Sequence, residues 1–353
     1  MFAFMVRPSY PRRSRLIGVV DAPEPLAVSV ALCTHNGARF VAEQVASILT
    51  QVPPPRELVV GDDASTDDTL AEVERVVAQA RASDPAFSTQ VTIIRRDAPL
   101  GVTANFESTI AACSSPLIAL SDQDDVWPAG RLGRLVRAFD DPRVSLVHSD
   151  ARLIDAEGRD TGARLLEVVE ATRSERAALE AGDAWPVLLR RNLVTGATVV
   201  VRAELAREAR PFPASWVHDE WLAAVAAARD GLRLIDQPLL DYRQHDANVI
   251  GAGRVTWRRR WQKLREPRAD RAARLVARAA ALAERAADWG VSAERLRDVR
   301  QKLAFEAARE QAPRWQPLRV VGVLRRWVRG DYARFARGPI DVVRDLVQPP
   351  GAR

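Results

Sequence analysis

From residue 27 the chain alternates short apolar runs with amphipathic stretches. The runs 27–33, 57–61, 91–94, 117–120 and 144–147 have the length and continuity of buried strands. Between them Phe40, Val41, Val45, Ile48 and Leu49 recur at helical spacing, as do Leu70, Val73, Val76 and Val77. Leu132, Leu135, Val136 and Phe139 mark another helix, and one more is expected over 103–112. Strands alternating with helices through short links predict an α/β fold, a mostly parallel central sheet covered on both faces. Beyond residue 250 the pattern changes to Arg/Ala-rich helices, notably 268–288 and 292–310, and residues 1–25 read as a loose, proline-bearing leader. The expected organisation is a leader at 1–25, an α/β domain at 26–250 and a basic helical extension at 251–353.

Composition adds limits. With 353 residues, 47% of them apolar and 28% charged, the chain can bury a proper core and is neither a disordered tail nor a collagen-like rod. No apolar run reaches the roughly 18–20 residues of a spanning helix. Residues 1–25 lack an apolar stretch of signal-peptide length, and Cys33 and Cys113 have neither metal-ligand nor disulfide-framework spacing. A cytoplasmic setting is therefore expected. The net charge of +6 conceals an asymmetry: residues 251–353 hold 25 Lys and Arg against 11 Asp and Glu, leaving −8 for residues 1–250. Five of the nine tryptophans (257, 261, 289, 315 and 327) also fall in that last stretch, so two regions carry two different jobs.

In an open parallel sheet, ligands bind outside the carboxyl ends of the strands. Two acidic clusters fall at that edge. Asp62 and Asp63 end the second strand, and Asp122, Asp124 and Asp125 follow the fourth. Such a concentration of carboxylates repels itself unless a cation or donor groups intervene. Asp122 and Asp124, two apart on an extended segment, point to one side and can share a task. Hard oxygen donors suit Mg²⁺ or Mn²⁺ bridging to a substrate's phosphates, where the ion neutralises a departing diphosphate. The structural alternative is that these aspartates cap a helix starting near Pro128. Asp62 or Asp63 can accept the N–H of a pyrimidine, and the loop Thr34-His35-Asn36-Gly37 can approach a nucleotide because Gly37 lacks a side chain. Asp67 or Thr66 is expected to cap the following helix.

Four ordered motifs then carry a resemblance: CTHNGARF at 33–40, VVGDDASTDDT at 59–69, LGVTANF at 100–106 and SDQDDVW at 121–127. Together they resemble the family 2 glycosyltransferases of the GT-A fold, over roughly residues 27–250, and most of all the bacterial rhamnosyltransferase-like members that build surface polysaccharides. The resemblance implies a nucleotide-diphosphate sugar donor (dTDP- or UDP-linked), a divalent metal (Mg²⁺ or Mn²⁺) and inversion at the anomeric carbon. It implies donor binding by Thr34, Asn36, Asp62, Asp63 and Asp122, with Asp124 as principal metal ligand. In WVHDEW at 216–221 it implies a general base, Asp219, with Glu220 as the fallback; His218 is expected to orient its neighbour. Beyond the strand-like run 232–240, it implies His245 near the metal and Arg243 on phosphate. Thr195-Gly196-Ala197 resembles the segment near donor and acceptor. No QxxRW follows residue 221, which fits transfer of one sugar per encounter.

The acceptor implied is a saccharide or a polyprenyl-linked saccharide. Residues 317–329 place Arg319, Arg326 and Arg329 on one helical face, with Trp315 and Trp327 as interfacial anchors. That predicts a helix on an anionic membrane surface, hence a peripheral position on the inner face of the plasma membrane. The alternative is a helical appendage packed on the core with solvated arginines. Two rival functions are a sugar nucleotidylyltransferase, disfavoured by the lack of a Gly-rich basic loop after the first strand, and a non-catalytic nucleic-acid-binding protein. The aspartate rim would repel a nucleic acid, so no such partner is expected.

Overall fold

A computed structural model describes residues 26–245, 268–313 and 315–347, without the side chains of 268–270, 316 and 317. The expected leader at 1–25, and Trp257 and Trp261, lie outside the described residues.

Eight strands form one mixed sheet: β1 (Val28–Thr34), β2 (Glu57–Asp62), β3 (Gln90–Arg95), β4 (Leu117–Ser121), β5 (Leu146–Ile154), β6 (Asp160–Arg164), β7 (Val199–Arg202) and β8 (Leu232–Arg243). The order is β3-β2-β1-β4-β7-β5-β6, with β8 also paired to β5. The β3-β2-β1-β4 half is parallel, as predicted. Beyond it β7 runs antiparallel to both β4 and β5, β6 is antiparallel to β5, and β5–β8 is again parallel. The strand expected at 144–147 starts two residues later and runs on to Ile154.

β1, β2 and β4 are buried almost throughout because helices cover both faces. On one face Val30 and Leu32 pack with Val45 and Ile48 of the helix Val41–Leu49, Val73 and Val77 of Thr69–Ser83, and Leu132 and Leu135 of Arg131–Val136. On the other, Ala31 and Leu120 meet Phe106 and Ile110 of Val102–Ala112 and the helix His218–Ala228. Residues from beyond 268 join this second cluster, among them Leu282, Trp289, Val299, Phe305 and Tyr332. The C-terminal helices therefore share a core with the sheet. No helix among the described residues is long and apolar enough to cross a membrane.

Candidate active site

The loops after β1, β2 and β4 meet at the carboxyl edge of the parallel strands. Asp62, fully buried, accepts the Thr34 hydroxyl at 2.7 Å and both the N–H and hydroxyl of Ser65, at 3.0 and 2.6 Å. Asp63 accepts the N–H groups of Leu100 and Gly101, 2.7 and 2.9 Å away, which holds the entry to the helix Val102–Ala112. Asn36 adopts φ +49°, tolerable for asparagine, and its Oδ1 accepts the Thr66 N–H at 2.9 Å. Asp67, not Thr66, braces the helix start, accepting the Thr69 N–H and hydroxyl and the Ala38 N–H.

Gly37 also makes room for a side chain from the loop after β4. A Cβ there would sit 2.2 Å from Gln123 Oε1. Gln123, which sequence reasoning passed over, clamps the two loops together: its Oε1 accepts the His35 N–H at 2.8 Å and its Nε2 donates to the His35 carbonyl at 3.1 Å. Arg96 was missed as well. Its Nε donates to Asn105 Oδ1, while Nη2 is buried with no partner among the described residues. It acts on Cys33 alongside Asp122, which puts both groups at this rim.

After β4 the helix starts only at Arg131, behind Gly130 and without a side-chain cap, so the aspartates do not cap it. Asp124 faces His245, Oδ2 to Nε2 2.9 Å, and His245 stacks on Phe40. Asp125 is buried and accepts the Arg243 N–H at 3.0 Å. The segment is pinned by a two-hydrogen-bond bridge between Val126 and Asp241 of β8. Burial, then the charges of Asp124 and Asp219, push the Asp122 carboxyl up to about 7. Asp125 rises well above the carboxylate range through burial and then Asp124 and Asp122. Two separate stretches of chain, 122–125 and the turn at Asp219, thus bring negative charge together.

Asp219 lies in the first turn of the helix His218–Ala228. It is half-buried rather than a solvated helix start. Its Oδ2 accepts the Gly196 N–H at 2.8 Å and its Oδ1 accepts the Glu220 N–H at 2.7 Å. Burial raises it to about 6 against the pull of those N–H groups. The fallback, Glu220, pairs with Arg278 at 2.5 Å. Arg278, on the helix Arg268–Arg285, also covers the Trp216 ring, and no periodicity in the sequence could have assigned it to this site. His218 does not orient Asp219 through a hydrogen bond: it is buried against Phe106, centroids 3.8 Å apart, and held neutral, at about 3.

Arg243 departs from expectation. It is the last residue of β8, buried, and its guanidinium turns into the protein: Nε to the Asp124 carbonyl at 2.8 Å, Nη1 to the carbonyls of Asp155 and Ala156, Nη2 to Glu43 at 2.6 Å. A fork committed to carbonyls braces the Asp124 loop and is not presented to a phosphate.

Among the described residues no group of three or more His, Cys, Asp or Glu side chains could hold a metal ion. Asp124 and His245 supply two donors side by side, an oxygen and a nitrogen. That suits an ion such as Mg²⁺ or Mn²⁺, which takes few protein ligands and fills its shell with water and substrate phosphate. Asp122 and Asp125, raised by burial and then by the neighbouring carboxylates, stand beside that pair and add negative charge a cation would neutralise, so the residues fit one. A cavity of about 660 Å³ lies at the opposite edge, against Val28, Pro53–55 and Gln90, and is lined by none of these groups.

Comparison with known proteins follows this geometry. The model of glycosyl transferase family 2 matches residues 29–186, which run from β1 into the helix Trp185–Arg190. Succinoglycan biosynthesis protein ExoU of Rhizobium meliloti is 36% identical over 117 residues, 33% of this chain and 32% of its own. The dTDP-rhamnosyl transferase RfbG of Shigella flexneri is 24% identical over 245 residues, 66% of this chain and 78% of that protein. Among solved structures, the mannosyltransferase PcManGT of Pyrobaculum calidifontis, in complex with GDP-Man and Mn²⁺, superposes with a TM-score of 0.51 at 21% identity, covering 87% of this chain and 77% of that one. That likeness shows the GT-A fold. The first curated relatives are matched over about a third to two thirds of their length.

Proposed function

We propose that this chain is an inverting, metal-dependent glycosyltransferase that moves a sugar from a nucleotide-diphosphate donor to a saccharide of a cell-surface polysaccharide. The observation that supports this most is the convergence of Asp122 and Asp124, on the loop after β4, with Asp219, on a helix start nearly a hundred residues away, beside His245. In this reading the 34–37 loop, Asp62 and Asp63 frame the base, the free Nη2 of Arg96 donates to it, and Asp122 meets the ribose. Asp124 and His245 hold the cation, which supplies charge neutralisation at the diphosphate. Asp219 takes the proton of the acceptor hydroxyl as the new C–O bond forms on the face opposite the breaking bond to phosphate. A carboxylate with a pKa near 6 is ionised at neutral pH yet basic enough for that transfer. The name of RfbG favours a dTDP-linked deoxysugar such as rhamnose, and that of ExoU favours a polysaccharide product.

The test is a transfer assay with Mn²⁺ and a panel of dTDP-, UDP- and GDP-sugars, the anomeric configuration of the product read by NMR. Release of nucleoside diphosphate with an inverted glycosidic bond supports the proposal; retained configuration refutes the single displacement.

A further inference from the structure

The last two long helices are built inside out. Residues 317–329 were expected to carry Arg319, Arg326 and Arg329 on one face, set against an anionic membrane or solvent. Of the three only Arg329 is exposed. On the helix Gln316–Val328, Arg319 is buried and Arg326 half-buried, donating to the carbonyls of Leu346 and Ala308, while Leu318, Val321 and Val328 stand in solvent. The helix Pro339–Val347 follows the same plan: Asp341 and Asp345 are buried, and Ile340, Val343 and Val347 are exposed.

The interior they share sets ion pairs beside the buried Val323 and Val342. Arg309 reaches Asp345 through two hydrogen bonds of 2.6 and 2.9 Å, Arg271 reaches Asp341 at 2.8 Å, and the Tyr332 hydroxyl donates to Asp345 at 2.8 Å. Because charge occupies the inner faces, apolar residues are displaced to the outer ones. Of the fourteen exposed large apolar side chains among the described residues, ten lie within 315–347, so the surface is a patch and not scatter.

We propose that this two-helix face seats on an anionic lipid bilayer surface. Three observations choose that occupant. The charges standing exposed within 315–347 are all arginine, with Asp341 and Asp345 buried and Asp331 half-buried, and Arg325 and Arg329 make no ion pair among the described residues. Trp315 and Trp327, 64% and 43% exposed, sit with the apolar residues, where an amphipathic ring suits a headgroup boundary. The helices, of 13 and 9 residues, are too short to cross a bilayer and long enough to lie on one. A second copy is a poorer occupant, because a two-fold contact would set arginine against arginine.

The experiment is co-sedimentation of the full chain with phosphatidylcholine vesicles, with and without about one third phosphatidylglycerol. The intact protein partitions onto the anionic vesicles. Val321→Glu with Val343→Glu lowers that partitioning roughly tenfold or more, without changing the melting temperature, since both side chains are exposed. Arg325→Gln and Arg329→Gln lower it about fivefold each, on anionic vesicles only. Failure of the intact chain to bind anionic vesicles overturns the proposal, as does unchanged binding by the Val321/Val343 variant. A concentration-dependent dimer in analytical ultracentrifugation, lost in that variant and unaccompanied by vesicle binding, assigns the face to a second copy and overturns it equally.

Discussion

The Gly196 N–H points at Asp219 Oδ2 from 2.8 Å, and the glycine lies so close that a Cβ on it would stand 2.9 Å from His218 Nε2 and 3.3 Å from Asp219 Cβ. The close packing of this glycine therefore serves the proposed base. Gly196→Ala must push the His218–Asp219 turn aside. A displacement of about 1 Å at a proton acceptor costs up to ~10²-fold in turnover. Donor affinity, set at the other loops, should stay near wild type. Steady-state kinetics beside a nucleotide titration separate the two, and an unchanged kcat would remove Gly196 from the role.

Asp219→Asn keeps the shape and removes the base. Transfer should fall by roughly 10²–10⁴-fold with donor binding retained. The pH profile carries a second signature. Asp219 titrates at about 6 in the folded protein against 3.8 for an ordinary aspartate, so below about 6 it holds its proton and cannot accept another. The kcat/KM of the wild type should therefore drop on the acid side with a midpoint near pH 6, and the residual activity of the asparagine variant should lack that limb. For stability the sign is opposite to that of a salt-bridged aspartate. The raised folded value means that Asp219 stabilises most fully below pH 3.8, and that this contribution is lost as pH rises through about 6.

Gln123 joins the loops after β1 and β4 through two hydrogen bonds to the His35 backbone. Gln123→Ala loses both, at a net cost of about 2 kcal/mol if each contributes an ordinary share. The expected result is a lower melting temperature together with weaker donor binding, both measurable by calorimetry. Loss of stability with unaltered nucleotide affinity would show that the loop keeps its shape without the clamp.

These residues also show where sequence reading succeeds and stops. β1, β2 and β4 were visible to within a residue or two because buried parallel strands are apolar runs, and the edge strand β3, exposed or half-buried throughout, by its Val-Thr-Ile-Ile run; the acids that end β2 and follow β4 mark the binding edge by position alone. β6 was not visible: Asp-Thr-Gly-Ala-Arg is polar and largely exposed, and only its pairing to β5 makes it a strand. Gln123 and Arg278 were invisible because their partners, His35 and Glu220, lie 88 and 58 positions away, and only the fold joins them. Arg243 and the helix Gln316–Val328 were misread for one cause. A charged side chain reads as solvent- or ligand-facing until its buried partners, the Asp124 carbonyl or those of Leu346 and Ala308, are seen.

Cooperative binding of nucleotide and metal at Asp124 and His245 tests the central claim most directly. The measurement is the thermal shift of the wild type and of Asp124→Asn with dTDP, UDP or GDP, each with and without Mn²⁺. A ligand at a hundred times its Kd stabilises by about 2.7 kcal/mol, a rise of roughly 5 °C for a chain of this size. The account predicts that rise for the wild type with at least one nucleotide when Mn²⁺ is present, a much smaller one without it, and none for Asp124→Asn. A wild type that no nucleotide stabilises in Mn²⁺, or an Asp124→Asn variant that responds as fully as the wild type, would contradict it.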